Sequence, residues 1–176
     1  MTTGIEWREH PYSSPTRSTN MLIAAPDPVD AFLNLDLEEN TEFNYCTGCM
    51  DMLLAVIEEN SDQSAREFAQ TYLFDPLSVA NWEWDEYQTG LLHGAGLSLT
   101  LPDLVRFGQL YLNDGIWNGQ QVISADWVMQ STRPQIVFNQ AQKSQWLGAS
   151  GYGYGWWTFD NEGYSEFWRS HATGSP

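Results

Sequence analysis

A chain of 176 residues, 42% hydrophobic and 14% aromatic, is long and apolar enough to bury a core, which excludes a disordered polymer. Its formal net charge of −16, from 23 acidic and seven basic residues, excludes the phosphate-neutralising surface that nucleic acid requires and opposes adhesion to anionic membranes. No run of about 18 apolar residues offers a membrane span, and no basic-then-apolar leader opens the chain.

Met1-Thr2-Thr3-Gly4-Ile5-Glu6-Trp7 starts abruptly, and 8–20, rich in Ser, Pro and Thr, reads as loop. Asp27 as N-cap with Pro28 behind it predicts a short helix to Leu33. Asp27, Asp30, Asp36, Glu38 and Glu39 lack the glycine and spacing of a calcium loop and read as surface. The central stretch is Phe43-Asn44-Tyr45-Cys46-Thr47-Gly48-Cys49, a turn that becomes an amphipathic helix. Met50, Leu53, Leu54 and Ile57 fall at i, i+3, i+4 and i+7, which predicts the buried face. Tyr45 precedes that helix, where a phenol can be held on a rigid element and still face a cleft. The plainer reading is a packing tyrosine with its hydroxyl satisfied. Cys46 and Cys49 read as two inert thiols or as a redox pair at a helix start; no second Cys pair or paired His completes a zinc site.

Ser64-Ala65-Arg66-Glu67 is a capping box, and Ala65, Phe68, Ala69, Tyr72 and Leu73 continue at helical spacing until Pro76. Asn81-Trp82-Glu83-Trp84-Asp85 reads as an aromatic, acidic connector. His93-Gly94-Ala95-Gly96-Leu97 reads as a glycine turn without the context of a phosphate loop, and His93 as structural before catalytic. Thr100 and Asp103 begin a helix whose predicted stripe is Leu104, Phe107, Gly108, Tyr111 and Leu112, with Gly115 as its stop. Asn118-Gly119 predicts a hairpin turn, and Ser124 caps a helix that ends before Pro134. Residues 135–151 read as a polar loop. Tyr152 to Phe159 reads as a strand, 160–163 as a turn, and 167–172 as the partner strand.

Seven stretches, in this order, resemble the serine hydrolases of the class C β-lactamase and penicillin-binding-protein type, especially their esterase and 6-aminohexanoate-dimer hydrolase relatives. They are Thr3 to Trp7, Phe43 to Gly48, Phe74-Asp75-Pro76-Leu77, Gly94 to Thr100, Asp103 to Leu112, Gly151 to Trp157, and His171-Ala172-Thr173-Gly174-Ser175. The resemblance implies a mainly α fold with a small antiparallel β element (α+β). Residues 1–150 would form the helical lobe and 151–176 the start of the return into the sheet. It also implies a serine hydrolase that works through an acyl-enzyme on an ester, amide or β-lactam, with a small acyl or peptide-like substrate and no cofactor or metal.

By the same resemblance Tyr45 is the proton-transferring tyrosine of the family's Tyr-x-Asn, with Thr47 standing where the asparagine would be. Thr47, His171, Thr173, Gly174 and Trp157 are assigned to substrate contact, and Ala172 replaces the lysine of the Lys-Thr-Gly triplet. The Ser-x-x-Lys nucleophile motif is absent: Lys143 is the only lysine, and Gln140 stands three residues before it. The chain is thus expected to be a middle segment of a longer hydrolase, inactive alone, with an exposed sheet edge that leads either to self-association or to a disordered C-terminal tail. The family is often periplasmic or secreted; this sequence leaves location open. Rival readings are a non-catalytic binding module gripping a ligand between Trp82, Trp84, Trp156 and Trp157, and a thiol redox protein using Cys46 and Cys49.

Overall fold

The computed structural model describes residues 1–9, 17–39, 42–161 and 164–168, with Asn161 and 164–168 described through their backbone. The chain forms two compact units, Met1–Leu99 and Thr100–Pro176. Both mix helices with small antiparallel sheets, the α+β composition expected.

In the first unit, α1 (Ser18–Ala24) and α2 (Pro28–Leu33) precede the long α3 (Thr47–Ser61). Asp27 caps α2, accepting from the backbone N–H groups of Val29 and Asp30 at 2.9 and 3.1 Å. The core gathers Trp7, Leu22, Phe32, Cys46, Tyr87 and Leu91. The face α3 turns inward differs from the stripe read from its leucines. Thr47, Gly48 and Asp51 are buried, while Leu53 is 57% exposed. Gly48 explains the rotation: a Cβ there would lie 2.5 Å from the Trp7 ring, so the helix abuts that indole along its glycine side.

The Ser64–Glu67 capping box starts α4 (Ala65–Ala69) as expected. The helix does not stop at Pro76. It passes through a π-helical turn, Gln70–Phe74, into α5 (Asp75–Leu77), where Pro76 occupies a first-turn position that needs no backbone donor. Ser78, at φ 55°, ends it.

The largest correction concerns 81–99. The aromatic connector is strand β1 (Trp82–Glu86), and the glycine turn is the middle of strand β2 (Leu92–Leu99). They pair antiparallel, Trp82 with Leu99 and Trp84 with Leu97, with an irregularity before Glu86. The glycines serve close approach: a Cβ on Gly94 would lie 2.7 Å from the Met50 Cβ of α3. The turn lies instead at 87–91, where Gly90 adopts φ +87°.

In the second unit, Thr100 caps α6 (Leu101–Leu112). Leu110 and Tyr111 are buried and Leu112 is exposed, so the stripe is one position off at its end. Asn118 and Gly119 both take positive φ between β3 (Ile116–Trp117) and β4 (Gln120–Gln121), the predicted hairpin. Ser124 caps α7 (Ala125–Thr132). The expected polar loop contains β5 (Ile136–Val137) and α8 (Gln140–Gln145), the latter begun by an Asn139–Gln142 capping box.

The single strand read over 152–159 is two, β6 (Gly151–Tyr152) and β7 (Trp157–Asn161). The intervening turn closes with Gly153 N–H donating to Trp156 O at 2.7 Å, with Gly155 at φ 83°. The partner strand, β8 (Tyr164–Trp168), starts earlier than expected and completes the antiparallel order β5-β6-β7-β8. Among the described residues no helix is long and apolar enough to cross a membrane.

Candidate functional site

Tyr45 ends an extended segment, and Cys46 is the N-cap of α3. The backbone around the tyrosine is fixed on both sides. Asn44 donates its N–H to Met1 O at 2.9 Å and its Nδ2 to Trp7 O at 2.8 Å. Cys46 N–H reaches the Met1 sulfur at 3.1 Å. Thr47 donates its N–H to Glu9 Oε2 at 3.0 Å and its hydroxyl to Glu9 Oε1 at 2.8 Å. Tyr45 itself is 4% exposed.

Glu9 is the hub of this corner. It is 3% exposed, takes the Trp7 indole N–H at 2.6 Å in addition to both Thr47 donors, and has the Arg17 guanidinium 3.8 Å away. A buried carboxylate persists only with such donors and a cation nearby. One turn along α3, Asp51 is fully buried. It accepts from the Tyr87 hydroxyl at 2.6 Å and from Gly94 N–H at 2.5 Å, and His93 Nδ1 lies 3.8 Å away. Ala95 N–H donates to that Nδ1 at 3.2 Å, and the His93 ring stacks on Tyr87.

Burial raises the Asp51 carboxyl above its ordinary value. The bonds from Tyr87 and Gly94 and the attraction of His93 oppose that rise, and the charge of Glu9 adds to it. Burial likewise pushes the Tyr87 phenol up, and the bond to Asp51 and its charge push it further. Two buried carboxylates therefore fasten the first turns of α3, Glu9 to the N-terminal segment and Asp51 to the β1–β2 hairpin. His93 acts here as a structural partner.

Neither carboxylate emerged from the sequence reading. Glu9 lies in Glu6-Trp7-Arg8-Glu9, which has no period to mark it. Asp51 carries a sequence signal: an acid between Met50 and Met52 on an apolar helix needs buried donors.

The two cysteines are not free thiols, which corrects the inert-thiol reading. They form a disulfide across the first turn of α3. Cys46 Sγ accepts the Cys49 N–H at 3.0 Å.

Tyr45 and Thr47 belong to the first unit and Trp157 to the second. Trp157 starts β7, buried among the rings of Phe138, Trp146 and Tyr152. Trp156 stacks parallel to Phe107 and tilts against Tyr111. In the first unit, Trp82 packs on Phe74 and donates its indole N–H to Gln70, while Trp84 donates to His93 O. His171, Thr173 and Gly174 lie outside the described residues. Among the described residues no group of His, Cys, Asp and Glu is placed to hold a metal ion.

The sequence profile of the family described as Beta-lactamase matches residues 1–174. Over 90 residues the chain is 33% identical to a 6-aminohexanoate-dimer hydrolase of Paenarthrobacter ureafaciens, covering 49% of this chain and 23% of that protein. Its structure is similar to a Bacillus anthracis protein provisionally assigned as a 6-aminohexanoate-dimer hydrolase, with TM-score 0.71 and 21% identity over 92% of this chain and 46% of that one. An octameric penicillin-binding protein homologue from Pyrococcus abyssi matches with TM-score 0.61 and 15% identity, over 84% of this chain and 40% of the other. At these identities the structural matches speak to the fold. The chain spans less than half the length of each of these relatives.

Proposed function

With the family pattern running over residues 1–174, the chain belongs to the beta-lactamase family, and from that premise we propose that it is part of a serine hydrolase whose acyl-transfer tyrosine is Tyr45. In such an enzyme a serine attacks the carbonyl of an ester, amide or β-lactam, forms an acyl-enzyme, and is released by water. A phenol with a pKa of about 10 is a poor base at neutral pH, so it needs a cation beside it to favour the phenolate. Tyr45 would then carry a proton between the serine, the leaving group and water. Backbone N–H groups near Thr173 and Gly174 would hold the oxyanion. The resemblance assigns Thr47 in the first unit, and His171 and Trp157 in the second, each to contact with a small acyl or peptide-like substrate. Nucleic acid and membrane surfaces are not partners on this reading.

The observation that carries this reading is an asymmetry. The backbone on both sides of Tyr45 is anchored by Met1, Trp7 and Glu9. The Ser-x-x-Lys that supplies the serine and its lysine has no counterpart in the sequence. Lys143, the only lysine, follows Gln140 by three positions, so no Ser-x-x-Lys exists. It sits on α8 with its ammonium 3.8 Å from Asp160. Loss of a nucleophile alone costs about 10⁶-fold in turnover. The isolated chain is therefore inactive on esters, amides and β-lactams, and the chemistry belongs to a protein that supplies Ser-x-x-Lys. Treatment with a fluorophosphonate or a penicillin tests this. No serine adduct is expected by intact mass, and a stoichiometric adduct on one serine would overturn it.

A further inference from the structure

We propose that Cys46–Cys49 is a reversible thiol–disulfide exchange site, attacked at Cys49, whose redox state governs the order of the helix turn next to Tyr45. The two cysteines are unequally exposed. Cys46 is in the core at 2% exposure, whereas Cys49 is partly exposed, with the Thr3 hydroxyl 4.0 Å from its sulfur. An incoming thiol thus reaches Cys49 and leaves Cys46 as the departing group. That departure is favoured, because Cys46 is the N-cap of a 15-residue helix and its sulfur already accepts the Cys49 N–H at 3.0 Å. The helix N-terminus and that N–H favour the departing thiolate, against the core burial that opposes its charge, and a more stable thiolate leaves faster.

The co-reactant is a small dithiol. One of its thiolates attacks Cys49 Sγ, the S–S bond breaks, and its electron pair goes to Cys46 Sγ. The second dithiol sulfur then attacks the mixed disulfide, closes to a cyclic disulfide, and releases Cys49. Two electrons and two protons pass from the dithiol to the protein.

The consequence is local. Residues 44–47 are held by Met1, Trp7 and Glu9 upstream and by the disulfide downstream. Reduction removes the covalent link, so the Gly48 and Cys49 amides loosen while Glu9 keeps Thr47 in place and Asp51 keeps the following turn on the β1–β2 hairpin. Exchange at Cys49 stands whatever Tyr45 does. Its meaning as a control on acyl transfer rests on the hydrolase reading.

The test uses the whole 176-residue chain without denaturant. Thiol titration should find none after air oxidation and two after dithiothreitol and desalting. Hydrogen exchange at the amides of Gly48 and Cys49 should then rise several-fold, while those of Thr47 and of α6 stay unchanged. With Cys46→Ser, glutathione disulfide should modify Cys49; with Cys49→Ser, Cys46 should stay unmodified while the protein is folded. Two thiols titrating in the air-oxidised chain, thiols released only in denaturant, or preferential modification of Cys46 would overturn the exchange site. Unchanged exchange at Gly48 and Cys49 on reduction would overturn the coupling to the helix turn. None of these readouts needs hydrolysis, so they fail or succeed separately from the assignment of Tyr45.

Discussion

Asp51 is held in a site that disfavours its charge. Its folded pKa is raised, so the folded state keeps this proton to higher pH than an unfolded aspartate, which titrates near about 3.9. The stability it contributes is fully present below that value and is lost as pH rises through the raised folded value. Urea midpoints of the native chain should therefore fall across that interval relative to those of Asp51→Asn. Identical slopes in the two proteins would contradict the role given to burial. The charged and titratable neighbours in this comparison are Tyr87, His93 and Glu9.

Glu9 makes a different prediction. Glu9→Ala leaves the Trp7 indole N–H and both Thr47 donors without their acceptor in the interior. Stranded buried donors cost about 1–3 kcal/mol each, less what water can recover. Urea unfolding should show a loss of at least about 2 kcal/mol, and a loss within about 0.5 kcal/mol would remove Glu9 as the anchor of the corner.

At the scale of elements, the seating of the β1–β2 hairpin on α3 depends on Gly94. A methyl there meets Met50 Cβ at 2.7 Å and Met50 backbone carbon at 2.9 Å, atoms that cannot swing aside. Gly94→Ala should destabilise the chain by about 1–3 kcal/mol, measured by thermal or urea unfolding. A neutral substitution would show that the strand does not press on the helix.

This pairing also marks where the sequence became unreadable. Four helix starts were legible because caps are local: Asp27, Ser64, Thr100 and Ser124 each bond the backbone two or three residues on, whereas the equally local Asn139–Gln142 box of α8 lay in a stretch too polar to read as a packed helix. The Asn118-Gly119 hairpin was legible for the same reason. Strand β2 was not, because Gly94 and Gly96 carry no strand propensity and are chosen for what lies across from them. The inward face of α3 was misread likewise. Leucine spacing pointed one way, and the contact of Gly48 with Trp7, 41 positions earlier in the numbering, turned it another.

For the whole molecule, the tyrosine and its place before α3 were visible in the sequence through their order among the other family stretches. Glu9 was not, since its partners are assembled only by folding. The described sheet runs β5-β6-β7-β8, and among the described residues β8 has a strand neighbour on one side. Unpaired edges recruit further strands. Light scattering after size exclusion should show concentration-dependent self-association, and a monomer that persists into the millimolar range would argue against an open edge.

On the proposed reading, Tyr45 stands in an anchored corner of a chain that holds no Ser-x-x-Lys for acyl transfer. Hydrolysis of a chromogenic butyrate ester by the purified chain, compared with Tyr45→Phe, tests this most directly. Both proteins should match the buffer rate. Turnover at ordinary enzymatic rates, abolished in Tyr45→Phe, would contradict it.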